Sequence, residues 1–130
     1  KEINIRVYYE DTDHGGVVYH ANYLKYMERG RTEALRDLGF SQSKLSVQED
    51  ILFVVTRTDV RFLRSAMFDD QLTVITRLLE AKGARLNFKQ QVFRCDELLV
   101  EADIFVACMS NSGQAKRIPK HLLELKNEGK

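Results

Sequence analysis

The sequence predicts an α+β fold in which an antiparallel five-stranded sheet wraps around one long helix. Two observations lead to this prediction: five segments alternate apolar and polar residues with period two, and one long segment repeats apolar residues at steps of three and four. The order of these segments is one strand, a long helix and four further strands, which favours a sheet packed on one side by a helix. Residues 1–130 are expected to form a single domain, since no linker or repeat divides them.

Each strand is predicted from apolar residues at every second position. Strand by strand, these positions are Ile3, Ile5, Val7 and Tyr9; Val54, Thr56, Val60 and Phe62; Leu72, Val74 and Leu78; Leu86, Phe88 and Val92; Leu98, Val100, Ala102, Ile104, Val106 and Cys108. Turn-forming residues at 82–83 and 95–97 separate the later strands at distances that suit short antiparallel hairpins.

Two helices complete the prediction. The long one runs from about Ala21 to Leu38, and a short one opens at Pro119 and continues to about Lys126. Glycine in mid-helix costs about 1 kcal/mol relative to alanine, so Gly30 indicates that the sheet approaches the long helix closely there. The predicted apolar stripe of this helix consists of Tyr23, Met27, Gly30, Ala34 and Leu38.

Composition excludes several classes of function. Twenty basic residues balance nineteen acidic ones, so there is no electrostatic case for a nucleic-acid partner. The longest apolar runs, such as Ile51 to Val55, are too short to span a bilayer, and residues 1–6 lack the apolar run of a signal peptide. Cys95 and Cys108 form no C-x-x-C pair and are predicted to be free thiols in a reducing compartment. A soluble, cytoplasmic protein is expected.

The segment from Tyr8 to Tyr23 carries most of the chemistry. Three acids, two histidines and the pair Gly15-Gly16 lie there between the first strand and the long helix. The glycines allow a ligand to approach the backbone, and the helix start presents unpaired N–H groups with a partial positive charge. A carboxylate beside such donors is the minimum needed to hydrolyse an acyl compound, because the donors polarise the carbonyl while the carboxylate attacks or activates water.

The residues alone leave other interpretations of this loop open. A calcium loop would need a bidentate Glu at its twelfth position, where Asn22 stands. A zinc site would use Asp11, Asp13, His14 and His20, although two histidines six residues apart match no compact ligand spacing. A polar turn whose side chains bond the local backbone is the purely structural alternative. A Ser-His-Asp triad lacks the G-x-S-x-G anchor, and Ser41, Ser43 and Ser46 lie in a predicted polar loop.

The same loop, from Tyr8 to Tyr23, resembles the signature of the hydroxybenzoyl-CoA thioesterase family, and most closely that of its Tol–Pal-associated acyl-CoA thioesterase branch. The resemblance covers essentially the whole chain. His14 stands where this branch commonly has Ala or Ser, so no role is carried onto it. The further matching segments are Glu28 to Glu33, Phe53 to Val55, Asp69-Asp70 and Ile118-Pro119.

This resemblance implies a hotdog fold that works as a homodimer or homotetramer with active sites at subunit interfaces. It also implies an acyl-CoA thioesterase that needs neither a cofactor nor a metal. Asp13 matches the catalytic aspartate, Tyr9 and His20 match the residues that accompany it, and the backbone N–H of Tyr19 matches the donor that polarises the thioester. Whether Asp13 attacks directly or activates water stays open at this point.

The resemblance also suggests where the CoA phosphates bind. The turn Lys82-Gly83-Ala84-Arg85 resembles a basic turn that contacts the nucleotide in relatives, so Lys82 and Arg85 are the predicted phosphate ligands. Arg61 and Arg64 are weaker candidates. The alternative for each of these residues is a solvated charge at the end of a strand.

Two other functions compete with hydrolysis. A hotdog protein can act as a binding partner of acyl carrier protein or of the Tol–Pal envelope machinery with little turnover, but a pure scaffold has no need of Asp13 and His20. A hotdog dehydratase would require a His/Asp or His/Glu arrangement on the helix that this sequence lacks. The acyl chain that is cleaved cannot be read from the sequence.

Overall fold

The structure, a computed structural model, describes residues 1–120 and 122. Five strands form one sheet in the order β1-β3-β4-β5-β2, and every neighbouring pair is antiparallel. The predicted α+β architecture and all five predicted strands are confirmed, except that the first strand ends at Arg6 and Tyr9, predicted to lie in it, belongs to a 3-10 helix (Tyr9–Asp11). The strands are β1 (Glu2–Arg6), β2 (Leu52–Phe62), β3 (Gln71–Lys82), β4 (Arg85–Arg94) and β5 (Glu97–Met109).

The long helix α1 (His20–Asp37) packs on the concave face of this sheet, where its backbone lies against β1 and β3. Three members of the predicted apolar stripe are buried, whereas Ala34 and Leu38 are only half-buried. The stripe turns towards Leu35 instead, because a second helix covers that end of α1. The buried residues of α1 are Tyr23, Tyr26, Met27, Gly30 and Leu35.

Gly30 is the point at which α1 touches the sheet, as its position in mid-helix predicted. A Cβ atom built on Gly30 would lie 2.6 Å from Thr76 Oγ1, 3.0 Å from Val74 Cγ1 and 3.1 Å from Gln90 Nε2. The fully buried Gln90 amide donates to Met27 O and to Thr76 Oγ1, both at 2.8 Å. A hydrogen-bonded amide therefore joins the helix to β3 and β4 at a point where there is no room for a larger side chain than that of glycine.

The second helix, α2 (Gln42–Gln48), was predicted as a polar loop, and that prediction is wrong. It has seven residues, of which only Leu45 is buried, so it carries no apolar period to recognise. Most of the predicted helix from Pro119 to Lys126 lies outside the described residues. Leu122 is buried, and its N–H donates to Pro119 O at 3.0 Å. Among the described residues, no helix is long and apolar enough to cross a membrane.

Strand β2 departs from the simple alternation that its sequence indicates. A β-bulge lies between Val55 and Arg57. Val55 lies before the bulge and Phe62 lies after it, and both face α1. The bulge therefore changes which residues of the alternating strand point towards the helix. Val54 consequently does not share a face with Phe62, contrary to the prediction. Only two of the eleven residues of β2 are half-buried and the rest are exposed.

Candidate active site

The loop between β1 and α1 is fixed by backbone hydrogen bonds on two sides. Thr12 and Val18 face each other as an isolated antiparallel bridge. Val18 N–H donates to Ala66 O at 2.8 Å, and Ala66 N–H in turn donates to the buried hydroxyl of Tyr23 at 2.8 Å. The loop therefore rests on the segment before β3, and α1 holds that segment in place.

Asp13 stands at the head of the tight turn inside this loop. Its carbonyl accepts from Gly16 N–H at 3.1 Å, and its Oδ1 accepts from Gly15 N–H at 2.8 Å. Gly16 has a φ of +79°, a conformation that glycine adopts without strain. The Asp13 side chain is exposed, and no described residue donates a hydrogen bond to its other oxygen. One carboxylate oxygen is thus held while the other is free to react.

His20 and Tyr9 flank the same loop. The His20 ring stacks on Phe62 of β2, with centroids 4.4 Å apart and planes 27° apart. The Tyr9 ring meets Phe68 edge-on at 5.6 Å and is 79% exposed. Both predicted companions of Asp13 therefore lie on the loop or at its junction with α1, each against an exposed aromatic side chain.

The predicted carbonyl-polarising donor, the N–H of Tyr19, is already engaged in this structure. Tyr19 is the N-cap residue of α1, and its N–H donates to Asp11 O at 3.1 Å. The next two N–H groups, those of His20 and Ala21, have no partner among the described residues, as is usual in the first turn of a helix. The free N–H donors of this structure therefore begin at His20, and the role assigned to the Tyr19 N–H stays a prediction. The sequence motif predicts where the helix begins, but it does not predict the hydrogen bond from Tyr19 N–H to Asp11 O.

Asp11 has a structural role in the loop, because it accepts hydrogen bonds from its neighbours. Its carboxylate accepts from Tyr8 N–H at 2.9 Å, and its carbonyl also accepts from the Asn22 side chain at 2.8 Å. Burial raises the pKa of Tyr26, and the neighbouring Asp11 carboxylate raises it further, so this phenol stays neutral. Within residues 1–120 and 122, no three His, Cys, Asp or Glu side chains come together as a metal site.

Comparisons with known proteins agree with this geometry. A family model described as the thioesterase superfamily matches residues 15–101. The acyl-CoA thioesterase YbgC of Haemophilus influenzae is 47% identical over 105 residues, covering 81% of this chain and 77% of that protein. The acyl-CoA thioester hydrolase YbgC of Escherichia coli is 41% identical and covers 92% of this chain and 90% of that protein. The chain belongs to the thioesterase superfamily.

A solved structure supports the fold of this thioesterase. A probable thioesterase from Bartonella henselae superposes with a TM-score of 0.88 at 39% identity, covering 92% of this chain and 98% of that one. The predicted family, the hotdog fold and the thioesterase activity are confirmed. The roles of Asp13, His20, Tyr9 and Tyr19 are still predictions, because they depend on individual residues.

The predicted phosphate ligands of this thioesterase lie far from Asp13 within one chain. Lys82 and Arg85 face each other across the β3–β4 hairpin, whereas the loop that carries Asp13 adjoins the other end of β3, where Val7 N–H donates to Asp70 O at 2.9 Å. The twelve residues of β3 span roughly 36 Å at 3.3 Å per residue. The two groups are therefore not brought together by this chain alone.

The weaker phosphate candidates are already paired. Arg61 forms an ion pair with Glu101, and Arg64 Nε lies 3.1 Å from Glu97 Oε2. Lys82 and Arg85, by contrast, have no ion-pair partner among the described residues and are exposed. This difference favours Lys82 and Arg85, rather than Arg61 and Arg64, as the cations that are available to bind a ligand.

An ion-pair network beneath the site was not anticipated from the sequence. The Arg94 guanidinium donates to Asp70 Oδ2 at 2.8 Å and also bonds to Glu97. The same Asp70 oxygen accepts from Met67 N–H at 2.8 Å. The hydrogen bonds to Glu97 and Asp70 raise the pKa of Arg94, so it stays charged. Arg94 thereby anchors the segment on which the loop of Asp13 rests, and an arginine 24 residues from its partner leaves no local signal in the sequence.

Proposed function

We propose that this thioesterase hydrolyses an acyl-CoA thioester, with the Asp13 carboxylate as general base or nucleophile. The observation that carries the proposal is the geometry of Asp13, with one oxygen fixed by Gly15 N–H and the other free. The backbone N–H groups of His20 and Ala21, at the start of α1, have no partner among the described residues and are suited to polarise a carbonyl. The YbgC relatives, which are named as acyl-CoA thioesterases, support the substrate class.

Either role of Asp13 gives a balanced reaction. As a base, Asp13 takes a proton from water while the water oxygen bonds to the acyl carbon, and the resulting oxyanion accepts from His20 N–H. Collapse of this intermediate breaks the carbon–sulfur bond, and the CoA thiolate takes up a proton, which gives the acid and free CoA. As a nucleophile, Asp13 first forms a mixed anhydride and expels the thiolate, and water then hydrolyses the anhydride. The His20 imidazole lies at the helix start, where it can orient the thioester or supply the proton.

We further propose that a second copy of the chain completes the site. Asp13, His20 and Tyr9 are all exposed in the single chain, whereas catalysis benefits from a site that excludes water. An exposed strand edge is a template for pairing with another chain, and β2 is a long edge. Exposed apolar side chains surround the loop and continue along this strand: Tyr19, Val54, Val55, Phe62, Leu63, Met67 and Phe68.

A second copy would also bring the predicted phosphate ligands close to the site. Lys82 and Arg85 lie roughly 36 Å along β3 from the loop of their own chain, so we propose that they bind the nucleotide phosphates of a CoA held by a neighbouring copy. The free thiols Cys95 and Cys108 suit a reducing compartment, and we propose a cytoplasmic location on that ground. Because the loop acts on the thioester group itself, acyl carrier protein thioesters are a second proposed substrate class.

The near-isosteric substitution Asp13→Asn tests the catalytic proposal. It removes the charge and the proton acceptor but keeps the shape, so turnover of acyl-CoA should fall at least about 100-fold, the low end for a general base. The fold and the oligomeric state should be unchanged, since a loop carboxylate near a helix start contributes only about 0.3–1 kcal/mol. Turnover is measured on a panel of aliphatic and aromatic acyl-CoAs.

The control is Glu10→Gln, which neutralises another exposed acid of the same loop and should leave turnover within about threefold of wild type, as expected of a surface change. Substantial activity in a well-folded Asp13→Asn protein would contradict the proposal. So would one zinc ion per subunit in the purified wild type, because the mechanism assigns activation of water to the carboxylate.

A further inference from the structure

Residues of α1 meet residues of β2 at the candidate active site and again further along the helix, and we call the strip between these two places the groove. At one end of the groove, His20 stacks on Phe62. At the other end, Arg31 of α1 and Val55 of β2 line a common cavity of about 230 Å³. His20 and Arg31 are eleven residues apart, which is about 16 Å along a helix. An acyl group whose thioester lies at the start of α1 can therefore extend along the groove into this cavity.

The helix side of the groove changes in character along its length. Leu24 and Glu28 follow His20 at steps of four and therefore share its face of α1. Leu24 is an exposed apolar residue, whereas Glu28 lines the cavity together with Arg31. The groove is thus apolar near the thioester and becomes polar at its far end.

The cavity itself has two unlike walls. Strand residues such as Phe53 and Phe88 form an apolar wall together with Leu35 of α1, and the remaining helix residues form a polar one. On the polar wall, Gln42 Nε2 donates to Thr32 Oγ1 at 3.3 Å. The polar wall consists of Glu28, Arg31, Thr32 and Gln42. A wall of this composition does not match a purely aliphatic chain end.

Arg31 is held in place but has hydrogen-bonding capacity to spare. Its Nη1 donates to Gln90 Oε1 at 2.9 Å, and Gln90 is fixed in turn by Met27 O and Thr76 Oγ1. A guanidinium carries five N–H donors, and the described residues offer Arg31 neither an ion pair nor a second hydrogen bond. Arg31 is half-buried, and burial lowers its pKa while the neighbouring Glu28 carboxylate acts in the opposite direction. Unpaired donors in such a place are costly unless a ligand provides an acceptor.

We propose that Arg31 is a specificity-determining residue that selects acyl groups bearing an oxygen acceptor, a hydroxyl or a carboxylate, at the end away from the thioester. The inference rests on the proposed acyl-CoA hydrolysis and adds the class of acyl group. Gln90 acts as a positioning residue, because it turns the guanidinium towards the cavity. A site built to hydrogen-bond a substrate oxygen discriminates strongly against an analogue that lacks it, since its own polar groups are then left unpaired.

Matched CoA thioesters test this proposal. Each set contains a straight acyl chain of eight to fourteen carbons, its terminal-hydroxyl derivative and its terminal-carboxyl derivative, all assayed with the wild-type chain. The kcat/KM for the better oxygen-bearing member should exceed that of the methyl-ended chain at least about tenfold at one chain length. In Arg31→Met this ratio should fall to near one while hydrolysis of the methyl-ended substrate continues. Arg29→Met, which changes an exposed arginine outside this cavity, should keep the wild-type ratio.

Other outcomes would overturn the inference. A wild-type ratio near one at every length, or an unchanged ratio in Arg31→Met, contradicts it. A weaker dimer with an unchanged ratio would show that a side chain of the second copy occupies the cavity instead. If Arg31→Met does not fold, Arg31→Lys retains the charge without the forked donors and should still lower the ratio at least about threefold. A wild-type chain that hydrolyses none of the thioesters contradicts the proposed function itself, which is a distinct result.

Discussion

The two edges of the sheet differ in how they are protected. β1 is an edge strand of five residues, and α1 lies against it, so that Ile5 is buried and Lys1 Nζ reaches Asp37 at 2.9 Å. β2 is an edge strand of eleven residues that α1 leaves largely open, with Val54 and Phe62 exposed. Short, covered edges resist pairing with other chains, whereas long, apolar, uncovered edges invite it.

The covered side of the sheet and its open side have different roles, the first in stability and the second in function. The side of the sheet that α1 covers contains the tightest packing, around Gly30 and Gln90. The open side contains the start of the catalytic loop's helix, where His20 stacks on Phe62 of β2. We infer that the chain closes one edge by itself and leaves the other for a second copy, which places catalysis where the copies meet.

Reversing the character of the open edge should have the largest effect. Val54→Lys places a charge on the apolar edge of β2, and a symmetric pair of copies would bring two such charges together. We expect the dissociation constant of the dimer to rise at least about 100-fold, which corresponds to about 2.7 kcal/mol. Sedimentation at several concentrations measures it, and activity should fall as the dimer dissociates.

The matched control is Val47→Lys, which makes the same change at an 85% exposed position on α2 rather than on β2. This variant should assemble as the wild type does, because surface substitutions usually change stability by less than about 0.5 kcal/mol. Equal dissociation constants for the two variants would show that β2 is not the interface.

A substitution that overfills the side of the sheet covered by α1 should have a smaller effect. Gly30→Ala places a Cβ 2.6 Å from Thr76 Oγ1, and overpacking of this kind costs about 1–3 kcal/mol, partly offset by about 1 kcal/mol of helix propensity. We expect a net loss of up to about 2 kcal/mol in the free energy of unfolding, measured in urea at one fixed protein concentration. Adding Thr76→Ala removes the nearest contact, so the two changes should show favourable coupling. A Gly30→Ala protein more stable than wild type would indicate that the helix does not press on the sheet there.

Removing the hairpin cations should have the smallest effect. Lys82→Ala combined with Arg85→Ala should raise the KM for acyl-CoA up to about tenfold while kcat stays nearly constant, as expected when ground-state and transition-state binding fall together. The control pair is Lys44→Ala with Arg77→Ala, two exposed cations elsewhere that make no ion pair among the described residues. If small thioesters without the nucleotide lose activity equally, the assignment to phosphate binding is wrong.

The sequence was most informative where a regular period is anchored by several buried residues. All five strands and α1 were predicted because their apolar residues repeat along the chain, and Gly30 even indicated the contact with the sheet. α2 escaped prediction because Leu45 alone anchors it. The bulge at Val55 reversed the faces of half of β2, since one extra residue changes the phase without altering the composition.

The candidate site was predictable only in part for a similar reason. Asp13, His20 and Tyr9 lie in one short motif, so the sequence brings them together directly. The engagement of the Tyr19 N–H by Asp11 O and the pairing of Arg94 with Asp70 depend on how separate segments meet. No local pattern encodes such contacts, and they became visible only in the structure.

Mixing two defective chains tests most directly whether the site is shared between copies. Asp13→Asn lacks the carboxylate, and the Lys82→Ala/Arg85→Ala chain lacks the phosphate ligands. In a mixed dimer, one site combines Asp13 of the second chain with Lys82 and Arg85 of the first and is therefore intact.

At acyl-CoA concentrations well below the KM of the cation-free chain, mixing and subunit exchange should raise activity above the sum of the two parents. Full exchange should restore about a quarter of wild-type activity, because half of the dimers are mixed and each has one intact site of two. If the mixture never exceeds the sum of its parents, the carboxylate and the cations do not meet across two chains, and the account of a shared site is wrong.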